Sequence, residues 1–130
     1  MTEEEKQKLV DAWIKCEKSE KGSPKYEENF WAFSKMLDIE IDEPELCWEL
    51  ILKIFAKDRS NKVMEGLSAG SLENLLATHG EDFIERVEEQ AKRNPSFATL
   101  LGGVWKSHMK EDIWKRVQAV WDRRGWDGIK

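Results

Sequence analysis

The chain has 130 residues, of which 40% are hydrophobic and 36% charged, and its formal net charge is −5. This composition excludes a disordered chain, which lacks the apolar residues for a core, and the length fits a single all-helical domain over 1–130. The apolar runs are far shorter than the ~20 residues that span a bilayer, so we expect no membrane segment. The acidic start over 1–5 does not resemble a secretory signal, which makes the cytoplasm the default expectation.

Two helices are predicted at the start of the chain. Thr2 followed by Glu5 is a capping box, and the apolar residues after it recur at helical spacing, which predicts a first helix over 3–18. Pro24 suits the first position of a second helix over 25–37. We assign its aromatic face to the core. That face consists of Tyr26, Phe30, Phe33 and Leu37, with Trp31 and Met36 widening it.

A third helix is predicted by the same start signals. Asp42 is its expected N-cap, Pro44 lies in its first turn and Glu45 completes a capping box, so the helix should cover about 43–57. After it, the segment 62–67 is ambiguous between one more helical turn and an extended linker. The sequence leaves both alternatives open.

The segment 68–80 has the pattern of a short helix with a marked start and stop. We predict a helix over 70–79, with Gly80 at the left-handed position just past its end. Because longer apolar helices flank it, this element should act as a central strut. Its N-cap candidates are Ser68, Gly70 and Ser71, and its buried stripe is Leu72, Leu75, Leu76 and His79.

Three further helices are predicted over 81–93, 95–108 and about 111–123. The pair Gly102-Gly103 falls inside the second of these and costs helix stability, which indicates the close approach of another helix. No strand-like alternation is present. The sequence therefore predicts an all-α fold, either a compact bundle or a short HEAT-like stack of six to seven antiparallel helices.

Signals for catalysis or cofactor binding are weak. Glu73 and His79 are six residues apart and fall on different helical faces. We interpret the His79 imidazole as a half-buried structural group at a helix end. Cys16 and Cys47 lie in apolar patterns without CxxC spacing, which favours buried, reduced thiols. The pattern therefore predicts no catalytic residues, no metal ligands and no cofactor.

The acids are unevenly distributed along the chain. Six fall within 38–49, a segment without any base, and five more fall within 81–89 against Arg86 alone, so the chain has two acidic blocks. The region 92–130 is mildly basic. Helix capping explains some of these acids, but like charges at this density repel one another, and a cationic partner would relieve the repulsion. The six candidate interaction residues are Asp38, Glu40, Asp42, Glu43, Glu45 and Glu49.

A second pattern reads Ala69-Gly70-x-Leu72-Glu73-x-Leu75-Leu76-x-x-His79-Gly80 and is followed by Gly102-Gly103-Val104-Trp105. Over about 58–121 it resembles a family of small, functionally uncharacterised bacterial proteins whose motif reads A-G-P-L-E-D-L-L-x-x-H-G. Ser71 stands where that family has Pro, and Asn74 where it has Asp. The resemblance implies an all-helical fold and a bacterial source, but no reaction. Its candidate motif residues here are Gly70, Leu72, Glu73, His79, Gly80 and Trp105.

We expect from these patterns a non-enzymatic cytoplasmic interaction protein, of the immunity or regulatory kind, that binds a basic partner protein through its acidic blocks. One alternative is a small-molecule-binding protein or enzyme with a pocket near His79. A second is nucleic-acid binding through the C-terminal tryptophans and bases, which the acidic character of the whole chain disfavours. The sequence does not indicate an oligomeric state.

Overall fold

The protein is all-α in a computed structural model, which describes residues 1–126. Of this structure 78% is helical, and no strand occurs within 1–126, so the predicted fold class is confirmed. The chain divides into two compact units, Met1–Gly66 and Leu67–Lys130. The single domain expected over 1–130 stays a prediction. Within the described part of the chain, no helix is both long enough and apolar enough to cross a membrane.

The first unit is arranged around its N-terminal helix, which contacts the other four. The predicted capping box is present: Glu5 N–H donates to Thr2 Oγ1 over 3.1 Å, and Thr2 N–H donates to Glu5 Oε1 over 2.7 Å. The predicted helix over 3–18 is confirmed. The helices are α1 (Glu3–Lys18), α2 (Pro24–Asn29), α3 (Trp31–Asp42), α4 (Pro44–Lys57) and α5 (Asn61–Gly66).

The predicted helix over 25–37 is wrong in both its continuity and its end. It is broken at Phe30, whose N–H bonds to Glu27 three residues back, so α2 and α3 are separate helices. α3 then continues past 37 because Met36 and Ile39 are buried and hold the last turn against the core. Pro24 does open α2, as predicted.

The expected cap at Asp42 is also wrong. Because α3 runs through Asp42, the N-cap of α4 is Glu43, which makes no side-chain capping bond. Pro44 takes the first position of α4, and the predicted helix over about 43–57 is confirmed. Of the start signals predicted for this helix, Pro44 is therefore confirmed, whereas Asp42 and Glu45 do not form the predicted capping box.

The second unit is arranged around one long helix. A π-helical segment (Leu67–Leu72) leads into α6 (Glu73–Arg93), which contacts that segment, α7 (Pro95–Leu101) and α8 (Glu111–Val120). The ambiguous segment 62–67 is helical: its residues up to Gly66 belong to α5, and Leu67 begins the π-helical segment. The predicted strut over 70–79 is central to this unit but is not a separate helix. Its N-cap candidates Ser68, Gly70 and Ser71 lie inside the π-helical segment and not at a helix start.

The expected stop at Gly80 is wrong, and the residue has a different reason to be glycine. The backbone at His79 departs from helical geometry (φ −128°, ψ 28°) and kinks α6, but the helix continues to Arg93. Gly80 does not adopt the predicted left-handed conformation, because among residues 1–126 the glycine with a positive φ is Gly22. A Cβ on Gly80 would lie 3.2 Å from Ile113 Cγ2, so glycine lets α8 pack closely against the kink.

The helix predicted over 95–108 ends early, at Leu101. Its predicted start is confirmed, since Asn94 Oδ1 accepts from Ser96 N–H over 3.0 Å. The close approach expected at the glycine pair is also present, and a helix makes part of it: a Cβ on Gly103 would lie 2.5 Å from Ser68 Oγ, in the π-helical segment. A Cβ on Gly102 would meet the carbonyl oxygen of Asp122, and a Cβ on Gly103 would lie 2.7 Å from the Trp126 ring. The last helix stops at Val120, short of the predicted 123.

Candidate functional site

The six predicted interaction acids do not form one surface. Four of them are exposed on or beside the α3–α4 junction: Asp38, Asp42, Glu43 and Glu45. The side chain of Glu40 is only 4% exposed, so a partner protein cannot reach it. Of the six predicted interaction acids, these four are therefore the ones that a partner protein could reach most easily.

Glu49 belongs to a cluster within the first unit. Its Oε2 lies 2.9 Å from Lys6 Nζ and 4.0 Å from Lys53 Nζ. Buried Glu40 has a different neighbour, the thiol of Cys47, whose pKa is raised to about 12 by burial and, to a lesser extent, by the charge of Glu40. A thiol with so high a pKa is a poor nucleophile at neutral pH.

The predicted core position of Phe30, Trp31 and Leu37 is wrong, because α3 and its N-cap expose large apolar side chains. Within the described residues six large hydrophobic side chains are exposed, and four of these are clustered between 30 and 41. We call these four residues the α3 stripe. They are Phe30 (42% exposed), Trp31 (48%), Leu37 (54%) and Ile41 (62%).

Helical geometry aligns three of the four stripe residues along one face, and Trp31 lies about 100° around the helix from Phe30. At about 100° per residue, Phe30, Leu37 and Ile41 lie within roughly 40° of one another, and they extend over about 16 Å of helix. Asp38 and Asp42, one turn apart, follow one edge of this face, which we call the acidic edge, and exposed Lys35 and Trp31 lie on the same edge. The opposite edge turns towards the buried face of α3, which carries Ala32, Met36 and Ile39.

A sequence signal for the stripe existed. α3 carries apolar residues on more than one face, and the buried residues form one stripe while the exposed ones form another. A surface helix that packs on one side needs a single apolar stripe, so a surplus of apolar positions indicates a second contact. Periodicity alone does not say which stripe faces the core.

Two of the motif residues in the second unit, Glu73 and Trp105, meet at one loop. Glu73 Oε1 accepts from Trp105 N–H over 3.0 Å, while Trp105 exposes 69% of its surface. Burial raises the pKa of the Glu73 carboxyl, although its bond from Trp105 works in the opposite direction. Val104 and Met109 are buried on either side of Trp105 and fix the loop in place. Glu73 therefore acts as a structural acceptor here.

His79 lines a small pocket at the kink of α6. The cavity measures about 130 Å³, and its lining includes Glu81, Asp82, Lys110 and Ile113. Lys110 pairs with Glu81 at the rim. Pockets for small organic ligands usually measure about 300–1,000 Å³. In the described part of the chain, no three His, Cys, Asp or Glu side chains converge as metal ligands would.

The C-terminal tryptophans and bases mostly contact one another or nearby acids. The rings of Trp114 and Trp121 meet edge to face with centroids 5.2 Å apart, and Arg123 lies over the Trp121 ring. Arg116 pairs with Glu88 over 2.6 Å. Stacking and phosphate contact require free faces and free bases, so this arrangement does not favour nucleic-acid binding. The last part of the predicted basic region, 127–130, lies outside the described residues.

Comparison with known families gives one result for this chain. A model described as "Family of unknown function (DUF6869)" matches residues 19–125. No curated protein and no solved structure matches the chain. The resemblance to an uncharacterised family, predicted over about 58–121, is thus confirmed over a longer range. The motif itself and a bacterial source stay predictions.

Proposed function

The chain belongs to DUF6869, a family of unknown function, and we propose that it is a non-enzymatic cytoplasmic protein-interaction domain that binds a basic partner protein. An immunity or regulatory role is part of this proposal. The observation that carries it is the α3 stripe beside exposed acids. Apolar side chains next to charged ones are a typical composition for the centre and rim of a protein interface.

The exposed apolar side chains favour binding energetically. Burial of apolar surface contributes roughly 25 cal/mol per Å², so removing Phe30, Leu37 and Ile41 from water together favours association by several kcal/mol before the entropic cost. Single exposed apolar residues are normal on a protein surface. A contiguous group on one helix face is the pattern of an interaction site.

The charges indicate what kind of partner fits. Asp38 and Asp42 lie along one side of the stripe, and Glu43 and Glu45 follow its C-terminal end. With Lys35 as the one exposed base on that side of α3, the net charge beside the stripe is negative, which steers a cationic surface towards it and repels an anionic one. A symmetric dimer of this chain would place the same acids of two copies against each other. The charge pattern therefore favours a basic partner over a second copy.

The alternative near His79 has less support. The pocket exists, but its volume of about 130 Å³ suits a few water molecules or a small ion better than an organic substrate. The edge contact of Trp114 with Trp121 likewise favours a packing role over base stacking. Neither region combines exposed apolar surface with a matching charge pattern.

The test uses site-specific crosslinking in the host cell. A photo-crosslinking amino acid replaces Leu37 in one variant and exposed Ala119 in a matched control. We expect a basic protein to be crosslinked from position 37 and not from position 119. The crosslinked protein, once purified, should bind wild type about tenfold more tightly than Leu37→Glu.

Two results would contradict the proposal. One is an identical set of crosslinked proteins from positions 37 and 119. The other is a purified crosslinked protein that binds wild type and Leu37→Glu with equal affinity. Either would show that the α3 stripe is not a recognition surface.

A further inference from the structure

We infer that the partner docks on the α3 stripe with an amphipathic helix of about three turns, which carries basic residues along one edge. This inference rests on the proposed function and specifies the binding element. Three features of the first unit support it: the shape of the stripe, the state of the α3 backbone and the position of the acidic edge.

The stripe has the shape of a helix-packing ridge. Phe30, Leu37 and Ile41 follow the positions i, i+7 and i+11, which form a nearly straight row along the helix surface. At 1.5 Å per residue, the row of about 16 Å matches a partner helix of roughly 11 residues. A helix packed along the row can place two or three apolar side chains between these residues.

The backbone of α3 excludes docking by strand addition. A peptide that adds to a sheet edge is held by main-chain hydrogen bonds. The N–H and C=O groups of a helix interior are already bonded within the helix, and no strand occurs within residues 1–126. The partner segment must therefore satisfy its own backbone where the apolar contact excludes water. A helix does so without help from its neighbour.

The acidic edge indicates which side of the partner helix should carry basic residues. Asp38 and Asp42 are exposed one turn apart on the same side of the stripe, whereas the other side turns into the core of the first unit. Lys or Arg residues spaced by four on the partner helix would face Asp38 and Asp42, beyond the turn of α3 that carries Lys35. The opposite edge of the partner needs no such charge.

Synthetic peptides test this inference on the full chain. The probe is a labelled Leu/Lys peptide of about 14 residues with apolar residues at helical spacing and lysines along one edge. A scrambled peptide of the same composition and a version with Glu in place of Lys are the controls. Binding is measured by fluorescence anisotropy, and helix formation by circular dichroism.

We expect the amphipathic peptide to gain helicity on binding and to bind about tenfold more tightly than the scrambled one. The variant Leu37→Ser/Ile41→Ser should lose about tenfold in affinity. Asp38→Asn/Asp42→Asn should lose a few fold and show a weaker salt dependence, because exposed charges are screened by salt. The matched control Asp82→Asn/Glu85→Gln, on α6, should bind like wild type.

The outcomes separate the two claims. If both basic peptides bind equally and both depend on Leu37 and Ile41, the surface is right and the helical partner is wrong. If the amphipathic peptide does not bind, the inference is also overturned. If it binds equally to wild type, the stripe variant and the α6 control, its binding is non-specific charge attraction, which contradicts the proposed function as well.

Discussion

α3 and α6 use their apolar side chains in opposite ways. α6 buries its large apolar residues almost completely, whereas α3 buries one stripe and exposes another. The buried residues of α6 include Leu75, Leu76, Phe83, Ile84 and Val87, each no more than 1% exposed. The most strongly patterned stretch of the sequence therefore organises the second unit. The proposed function depends instead on the surplus of apolar residues on α3.

The largest effect should come from the core of α6. Leu75→Ala removes fully buried methyl groups and leaves a cavity, so we expect the free energy of unfolding to fall by about 2–5 kcal/mol. Leu76→Ala should behave similarly. Leu37→Ala on the exposed stripe is the comparison, and it should change stability by less than about 0.5 kcal/mol. Urea denaturation measures all three. Losses below about 0.5 kcal/mol at both α6 sites would make α6 peripheral.

A smaller effect is expected at the glycine pair. Gly102→Ala would force a Cβ against the carbonyl of Asp122, a backbone atom that cannot move aside easily, so we expect a loss of about 1–3 kcal/mol. Gly70→Ala is the matched control, because nothing lies within 4 Å of its added Cβ. The control should be neutral or slightly stabilising. Equal melting temperatures for the two variants would rule out close packing as the reason for Gly102.

The first unit should show a specific acid sensitivity at Asp58. A bond from Ser60 N–H, and then one from Lys18 Nζ, lower its pKa from 3.8 to about 2. Because the folded-state pKa is depressed, the stabilisation is complete above about pH 4 and is lost as the pH falls towards 2. It amounts to at most about 2 kcal/mol. Asp58→Asn should flatten this part of the stability curve, and an unchanged pH dependence would contradict the assignment.

Glu73 should give the smallest of these effects. Glu73→Ala removes the acceptor for Trp105 N–H, at a cost of about 1 kcal/mol. Glu73→Gln keeps an acceptor oxygen. Since burial raises the folded-state pKa of Glu73, its contribution is favourable at low pH and is lost as the pH rises through that pKa. Gln should therefore match or exceed Glu in stability at neutral pH. A Gln variant as unstable as Ala would show that the charge itself is needed.

Local signals were predictable from the sequence. The capping box of Thr2 and Glu5, the cap at Asn94 and the proline at Pro44 depend on residues within one turn, and the structure contains all three. The failure at Asp42 shows the limit of such signals. Its capping pattern was overridden because the preceding helix stays packed on the core through Ile39.

Features that depend on distant contacts were not predictable. Gly80 fits both a helix stop and a close packing position, and the choice between them is set by Ile113, 33 positions away in the sequence. The π segment at Leu67–Leu72 has no recognisable local signal. The prediction that the aromatic face of α3 is buried failed for a related reason. Periodicity identifies the apolar faces of a helix but does not show which of them packs against the core. The placement of Glu40 and Glu49 on one interaction surface failed because the sequence does not show that Glu40 is buried or that Glu49 pairs with Lys6.

The central claim is that the α3 stripe serves recognition and not folding. The direct test measures stability and binding on the same variant, Leu37→Ser/Ile41→Ser, with Leu75→Ala as the folding control. We predict that the stripe variant keeps the wild-type melting temperature within a few degrees and loses about tenfold in affinity for the crosslinked partner. A stripe variant that unfolds as readily as Leu75→Ala, or that retains full affinity, would contradict the account.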